Sequence, residues 1–289
     1  MTKDEAIKII SNCKNDEELE LFLQNRINEL EGEAQERTVG QDYTTTFQEY
    51  ISSKTHYKPV GGIKDHACPD LVYDDYEPYF ELFKEIYRLS KGVQDSFVSF
   101  DPFLFDCIKQ IISDYTFDGN RSIDQDNRDM FYFSAAYRGE KAVRISQFKH
   151  KSMALCSENS GMAHNMFKIL GMDSEVVMGS RNNNNHAYNL LFPNGYGNIP
   201  AILIDFSFPA KCESKSSHKV YDLPYHKVLS EEEYHNLMEG KPISINATKS
   251  ISHLLNFYKS IGSIEEDCTL IDEDVTYSTN ITYTKSKII

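Results

Sequence analysis

Cys156 stands at the start of a segment that has the apolar spacing of a helix. Apolar residues recur every three or four positions after it, and a glycine follows as a stop signal: Met162, Ala163, Met166, Ile169, Leu170 and Gly171. Unpaired N–H groups at a helix N-terminus favour an anion, which lowers the pKa of a thiol and populates the reactive thiolate. Glu158 in the first turn opposes a thiolate. We therefore expect Cys156 to need a cationic partner, for which His186 is the candidate.

His186 and Asp205 lie on two segments that read as neighbouring strands. Segment 186–192 has an alternating apolar pattern and segment 201–206 is almost continuously apolar. The turn-rich stretch 193–200 separates them. This arrangement predicts an antiparallel pair.

Two registers of that pair stay open at the level of sequence. With Phe192 opposite Ala201, Asp205 is diagonal to His186; with Phe192 opposite Ile199, Asp205 is directly opposite. In either register the two side chains share a face of the sheet. The carboxylate can then hold one imidazole nitrogen while the other nitrogen addresses a thiol, which is the logic of a Cys-His-Asp triad.

These residues resemble the transglutaminase-like cysteine enzyme superfamily over roughly residues 150–209. That superfamily has a Cys that opens a helix, a Gly before a strand, a His-Ala-aromatic strand and a strand that ends in Asp. The matching residues are Cys156, Gly171 before the segment 175–179, His186 with Ala187 and Tyr188, and Ile204 with Asp205. The chain departs from the pattern in having no tryptophan, and Tyr188 stands where one often follows the His-Ala pair.

The resemblance implies an α+β fold with a papain/transglutaminase-like core, in which the nucleophile helix packs on an antiparallel sheet, with helical N-terminal additions. It implies catalysis by Cys156, His186 and Asp205 through a thioester. The activities it implies are proteolysis, glutamine deamidation and transamidation of a protein or peptide amide. By analogy with papain-like enzymes, the oxyanion donors are expected to be the Cys156 N–H and the side chain of Gln147.

The chain before the motif is predicted to be mainly helical. A capping box at Thr2–Glu5 and a cap at Asn15–Glu18 predict two N-terminal helices. We expect residues 1–75 to form a helical N-terminal region with an irregular connection, and residues 76–289 to form the catalytic domain. Further helices are predicted over 79–89 and 101–115 and after Ser230, and a strand over the tail 274–289.

Two further predictions concern the neighbourhood of the site. The run Asn182–Asn185 directly precedes His186 and predicts a solvated loop, which either gates substrates or is a permissive insertion between strands. His164 follows Cys156 on the more polar side of the predicted helix, so we expect it at the surface.

Charge restricts the partners. The 289 residues carry a formal net charge of −14, which disfavours nucleic acid and anionic lipid because phosphate contacts need clustered Lys and Arg. We expect a protein or peptide substrate, no nucleic acid and no membrane. The N-terminus lacks a hydrophobic signal region and no apolar run has membrane-spanning length. This predicts a cytoplasmic protein, with delivery to a host without a cleaved signal left open; the oligomeric state is not determined.

The six cysteines are scattered without CxxC spacing, which predicts neither a zinc cluster nor a disulfide framework. No metal or cofactor is expected. The preferred hypothesis is a cysteine hydrolase acting on a protein or peptide. One alternative is an arylamine N-acetyltransferase-like enzyme. Against it, Met153-Ala154-Leu155 precedes Cys156 where that family usually has Arg-Gly-Gly. The other alternative is a catalytically inert interaction module on the same scaffold.

Overall fold

The computed structural model describes residues 1–37, 70–72, 75–92, 101–118, 124–138, 142–195, 197–260, 262–271 and 273–279. The chain divides into two compact units, Met1–Met172 and Asp173–Ile289. The described residues form eight α-helices and nine strands, which confirms the predicted α+β class. Most of the predicted irregular connection, residues 38–69, lies outside the described residues.

The first unit is mainly helical. Its helices are α1 (Lys3–Asn12), α2 (Asp16–Arg37), α3 (Glu77–Gly92), α4 (Asp101–Thr116), α5 (Gln125–Tyr137) and α6 (Cys156–Ile169). A short 3₁₀ helix spans Ile145–Phe148, and two parallel strands pair as β1 (Asp70–Val72) and β2 (Ala142–Arg144).

The first two helices begin at the predicted caps. The Thr2 hydroxyl accepts the Glu5 N–H at 3.3 Å, and the Glu5 carboxylate accepts the Thr2 N–H at 2.8 Å. The Asn15 side chain accepts the Glu18 N–H at 3.0 Å. Each cap satisfies a backbone donor that a helix N-terminus leaves without an intrahelical partner, so both predictions are confirmed.

Helix α6 packs inside the first unit against α2, α3 and α4. The Arg26 Nε of α2 donates to the Ile169 carbonyl at 3.2 Å, and the rings of Phe105 in α4 and Phe167 in α6 meet edge to face with centroids 6.1 Å apart. The N-terminal helices also contact α3, which begins after the predicted domain boundary at residue 75. The compact unit thus extends through α6 to Met172.

The second unit is built on an antiparallel sheet. Its strands are β3 (Asp173–Arg181), β4 (Asn184–Phe192), β5 (Ile202–Ser214), β6 (Val220–Val228), β7 (Ile243–Asn246), β8 (Cys268–Leu270) and β9 (Asp274–Thr279). The strand order is β6-β5-β4-β3-β9-β7, and β8 adds to β5. Two helices complete this unit, α7 (Glu231–Met238) and α8 (Ala247–Ser260).

The register of β4 and β5 resolves the alternative left by the sequence. Asn189 lies opposite Ile204 and Leu191 opposite Ile202, which is the register that places Asp205 diagonal to His186. The pairing of β5 with β6 is irregular between Asp205 and Ala210. This bulge interrupts the ladder directly after Asp205 and turns the following backbone back toward its carboxylate.

Candidate active site

His186 and Asp205 form a buried pair on the neighbouring strands β4 and β5. The Nε2 of His186 lies 2.8 Å from Oδ2 of Asp205, and the two residues are 2% and 1% exposed. An ionised carboxylate only accepts hydrogen bonds, so Nε2 carries the proton. In the neutral imidazole, Nδ1 is then the basic nitrogen.

Asp205 is held by several donors besides His186. The Tyr277 hydroxyl donates to Oδ2 at 2.9 Å, and the backbone N–H groups of Ser207 and Phe208 donate to Oδ1 at 3.0 and 3.2 Å. The two N–H groups come from the bulge that follows Asp205. Both carboxylate oxygens are thus hydrogen-bonded, which offsets the cost of burying them.

Tyr277 of β9 acts as a donor and not as a competing anion. Burial, followed by the nearby Asp205 charge, raises the pKa of the Tyr277 phenol well above its ordinary value. The same two causes raise the pKa of the Tyr188 phenol, whose hydroxyl donates to the Ser278 carbonyl at 3.1 Å. Both phenols therefore stay protonated beside Asp205 across the physiological range.

Arg181 brings a permanent cation to the pair. Its Nε lies 4.0 Å from Asp205 Oδ2, and its Nη2 bonds the Glu273 carboxylate at 3.2 Å. Burial acts to lower the pKa of Arg181, but Tyr277 and the two carboxylates outweigh burial and raise it. The guanidinium lies 4.3 Å above the centre of the Phe208 ring, and that ring lies 5.0 Å from the His186 ring.

A cavity of about 410 Å³ opens beside these residues within the second unit. Its wall includes Arg181, Phe208, Lys211, Asp222 and Glu273. Phe208 is 44% exposed although it is a large apolar residue, and it lies between the cavity and His186. An aromatic wall with charged groups of both signs is a lining suited to a polar organic group such as a peptide side chain.

The prediction that Asn182–Asn185 forms a loop was wrong. Arg181 pairs directly with Asn184, so Asn182 and Asn183 alone make the turn. Their φ angles are 49° and 64°, the left-handed values that a two-residue type I′ hairpin needs and that Asn tolerates better than most residues. Asn182 is also tied to β9, since its side-chain oxygen accepts the Thr276 N–H at 2.9 Å. The run is exposed but belongs to a tight hairpin.

Cys156 occupies the predicted position at the N-terminus of α6. It is the first residue of the helix, is half-buried and is a free thiol. The Leu155 N–H before it donates to the Glu158 carboxylate at 2.8 Å, which closes the first turn. Cys156 belongs to the first unit, and His186 and Asp205 belong to the second.

Glu158 does not stand as an uncompensated charge next to Cys156. It is fully buried and forms an ion pair with Arg128 of α5, with Nη2 and Oε1 2.8 Å apart. Burial alone would raise the pKa of Glu158, but Arg128, the Leu155 N–H and the Tyr132 hydroxyl together lower it. Arg128 thus compensates the negative charge of Glu158 that was expected to disfavour a thiolate at Cys156. No sequence pattern indicated this cation.

Gln147 lies in the 3₁₀ helix and is exposed. Its Oε1 accepts the Arg144 N–H at 2.8 Å, which leaves the side-chain amide nitrogen as the donor end of the group. Its role at an oxyanion stays a prediction.

The prediction that His164 lies at the surface was wrong, because it is 4% exposed. All residues from Ser157 to Phe167 are buried, including the polar ones, so α6 has no solvent-facing side over this length. A polar helix face predicts solvent contact only where no other part of the protein covers it.

The structure therefore brings His186 and Asp205 together and adds Tyr277, Arg181 and Phe208 to them. Only Arg181 carried a local signal, its position beside the Asn run that precedes His186. Tyr277 is 72 residues from Asp205 in the chain, and no sequence spacing connects them.

No group of three or more His, Cys, Asp or Glu side chains among the described residues has the arrangement of a metal site. No helix in the described part of the chain combines the length and the apolar character that crossing a membrane requires.

No family model, no curated protein and no solved structure matches the chain.

Proposed function

We propose that the protein is a cysteine hydrolase of the transglutaminase-like type, in which Cys156 attacks an amide of a protein or peptide. His186 acts as the base and Asp205 orients it. The observation that carries the proposal is the buried His186–Asp205 pair, because its Nε2 is committed to the carboxylate and Nδ1 is left as the basic nitrogen. The position of Cys156 at a helix N-terminus supports it.

The reaction takes two steps that balance. The Cys156 thiolate attacks the amide carbonyl carbon, and the C–N bond breaks as the His186 imidazolium gives its proton to the leaving amine or ammonia. Water then attacks the thioester carbonyl and gives a proton to His186, and the C–S bond breaks to release the acid and the thiolate. The Cys156 N–H and Gln147 are the proposed donors to the oxyanion.

Hydrolysis is preferred to acyl transfer because water is the acceptor that a polar, solvated mouth admits. The described rim near His186 is polar, with exposed Asn182–Asn185. A protein amine as acceptor would require groups that hold it and exclude water. We assign the substrate side chain to the cavity beside Phe208, which lies one ring away from His186.

The proposal extends to the fold and the setting of the protein. In a papain/transglutaminase-like core, helix α6 would pack on the antiparallel sheet and present Cys156 to His186. The cytoplasm is the proposed compartment, because the described cysteines are free thiols without a disulfide framework, as is usual in a reducing compartment. The proposed partner is the protein or peptide substrate, with neither nucleic acid nor membrane involved.

The first experiment measures the pH dependence of iodoacetamide alkylation at Cys156 by mass spectrometry, in the wild type and in His186→Ala. We expect selective alkylation below pH 7 that His186→Ala abolishes. Half-buried Cys107 and buried Cys212 are internal references, since burial raises the pKa of Cys107 to about 12 and that of Cys212 to about 11. Reactivity at Cys156 no higher than at these references contradicts a thiolate–imidazolium pair.

The second experiment identifies the reaction with casein as the probe. New fragments report proteolysis. Ammonia released without cross-linking, in the absence of an added amine, reports glutamine deamidation, and incorporated monodansylcadaverine reports transamidation. Any of the three activities should be lost in Cys156→Ala and kept in Cys107→Ala, a matched change of a half-buried cysteine. Activity that survives Cys156→Ala rules out Cys156 as the nucleophile.

A further inference from the structure

A buried ion pair lies directly behind the proposed nucleophile, within the first unit. Arg128 of α5 contacts Glu158 of α6 through two nitrogens, with Nη2 to Oε1 at 2.8 Å and Nε to Oε2 at 3.3 Å. Arg128 is 1% exposed and Glu158 is fully buried. The two planar groups meet in the forked geometry that Arg and carboxylate favour.

The same network holds both chain neighbours of Cys156. The Glu158 carboxylate accepts the Leu155 N–H at 2.8 Å and the Tyr132 hydroxyl at 2.8 Å. The Nη2 of Arg128 also donates to the Ser157 hydroxyl at 3.1 Å. Leu155 and Ser157 flank Cys156, so the ion pair holds the Leu155 backbone on one side of the thiol and the Ser157 side chain on the other.

Stability alone gives no reason for burying this pair. Apolar residues of similar volume in place of a buried ion pair are often as stable or more stable, since two charges must be taken out of water. Burial acts to lower the pKa of Arg128, but Glu158 and Tyr132 outweigh burial and raise it. The Arg128 guanidinium bonds Ser157, the chain neighbour of Cys156, so its charge lies near the first residue of α6.

The two charges of the pair act on Cys156 with opposite signs. Glu158, in the first turn of α6, disfavours an anion there, and Arg128 favours one. Removing either partner would leave the other as an uncompensated buried charge beside the thiol. The two charges of the pair cancel. The protonation state of Cys156 then depends on the helix N-terminus and on any further cation.

We infer that Arg128 is a positioning residue of the site: it cancels the charge of Glu158 and clamps the first turn of α6, so that a thiolate forms at Cys156. The role of Arg128 in catalysis rests on the proposed function, whereas its effect on the charge of the Cys156 thiol does not.

Other charged groups near the pair must be considered with it. Asp129 Oδ1 lies 3.4 Å from Arg128 Nη1, and its side chain is 45% exposed, so solvent screens much of its charge. Tyr132 is the other titratable group of α5 that bonds Glu158.

The test is the pH midpoint of Cys156 alkylation by iodoacetamide in full-length Arg128→Met, Glu158→Gln, the double variant and Arg128→Lys. Loss of the cation in Arg128→Met should raise the midpoint by roughly one pH unit, about a tenfold lower rate at acidic pH. Loss of the anion in Glu158→Gln should lower the midpoint by a similar amount. The double variant and Arg128→Lys should stay close to the wild type.

The opposite signs distinguish an electrostatic role from a purely structural one. A loosened first turn would move both single variants in the same direction, and midpoints that do not move in either variant would show that the pair has no effect; each result overturns the inference. If Arg128→Met does not fold, the downward shift in Glu158→Gln and its reversal in the double variant decide the question. Circular dichroism checks folding in each case.

The outcomes separate this inference from the proposed function. If His186→Ala leaves alkylation unchanged while the Arg128 and Glu158 variants shift it in opposite directions, the triad fails and the inference holds. If His186→Ala abolishes selective alkylation while neither Arg128→Met nor Glu158→Gln shifts the midpoint, the triad holds and the inference fails.

Discussion

Two buried carboxylates, Asp205 in the second unit and Glu158 in the first, are held by nearly the same set of groups. Each accepts a hydrogen bond from a tyrosine hydroxyl, Tyr277 in one case and Tyr132 in the other. Asp205 accepts two backbone N–H groups and Glu158 accepts one, in each case from residues close in the chain, and each carboxylate has an arginine near it. The two environments therefore satisfy a buried anion by the same means.

The difference lies in the closest cationic partner. Asp205 contacts His186 at 2.8 Å and has Arg181 only at 4.0 Å, whereas Glu158 contacts Arg128 at 2.8 Å. An imidazole gains and loses a proton near neutral pH, and a guanidinium does not. One carboxylate thus serves a pair whose charge can change during a reaction, and the other serves a pair whose charge is constant. Three experiments test whether the two pairs differ in this way.

The largest effect is expected from Asp205→Asn. The amide can present an N–H to the ring, so His186 would hold its proton on Nδ1 and lose its basic nitrogen there, and we expect activity on casein to fall by about 10⁴-fold. Nitrogen NMR of His186 should show the change from an Nε2–H to an Nδ1–H tautomer. Asp173→Asn, at an exposed position in β3, is the matched control. Unchanged activity and tautomer would show that Asp205 does not orient His186.

An intermediate effect is expected from breaking the Arg128–Glu158 pair, whose charge is constant. Arg128→Met leaves Glu158 buried without its cation, so the free energy of unfolding should fall by about 3–5 kcal/mol, measured by urea denaturation. The matched control is Arg88→Met, which breaks an Arg–Glu pair on a helix surface, where the Arg88 side chain is 69% exposed. That change should cost less than about 1 kcal/mol. An equal loss of unfolding free energy in Arg128→Met and Arg88→Met would mean that the buried ion pair matters no more for stability than the exposed one.

The smallest effect is expected in acid. The pKa of Glu158 is lowered in the folded protein, so the unfolded chain binds its proton more readily as the pH falls. The stabilisation is present above the ordinary carboxyl pKa near 4.3 and is lost as the pH falls from there through the folded value, with a slope of at most about 1.4 kcal/mol per pH unit.

Urea denaturation between pH 3 and pH 7 measures this dependence. The double variant Arg128→Met with Glu158→Gln should lose the part of the slope that Glu158 contributes, because neither of the new side chains titrates in this range. A slope that is the same in the wild type and the double variant would mean that Glu158 binds protons equally in both states.

Sequence reasoning identified the elements that carry the proposed site and missed the groups that surround it. It predicted the helix that starts at Cys156 and the strands of His186 and Asp205 because each follows from periodicity and turn residues within a few positions. It left the register of β4 and β5 open, because both registers bury the same apolar face. The Asn182–Asn183 turn was misread although both residues are typical of left-handed turn positions.

Local sequence is enough to place Cys156, His186 and Asp205 on their helix and strands, because helix starts and strand alternation are set by neighbours in the chain. The groups that surround these residues depend on tertiary contacts. Arg128 is 30 residues from Glu158 and Tyr277 is 72 residues from Asp205, and only the packing of α5 on α6 and the pairing of β9 with β3 bring these groups together. Counter-charges of buried groups are set by distance in space, which no local pattern encodes.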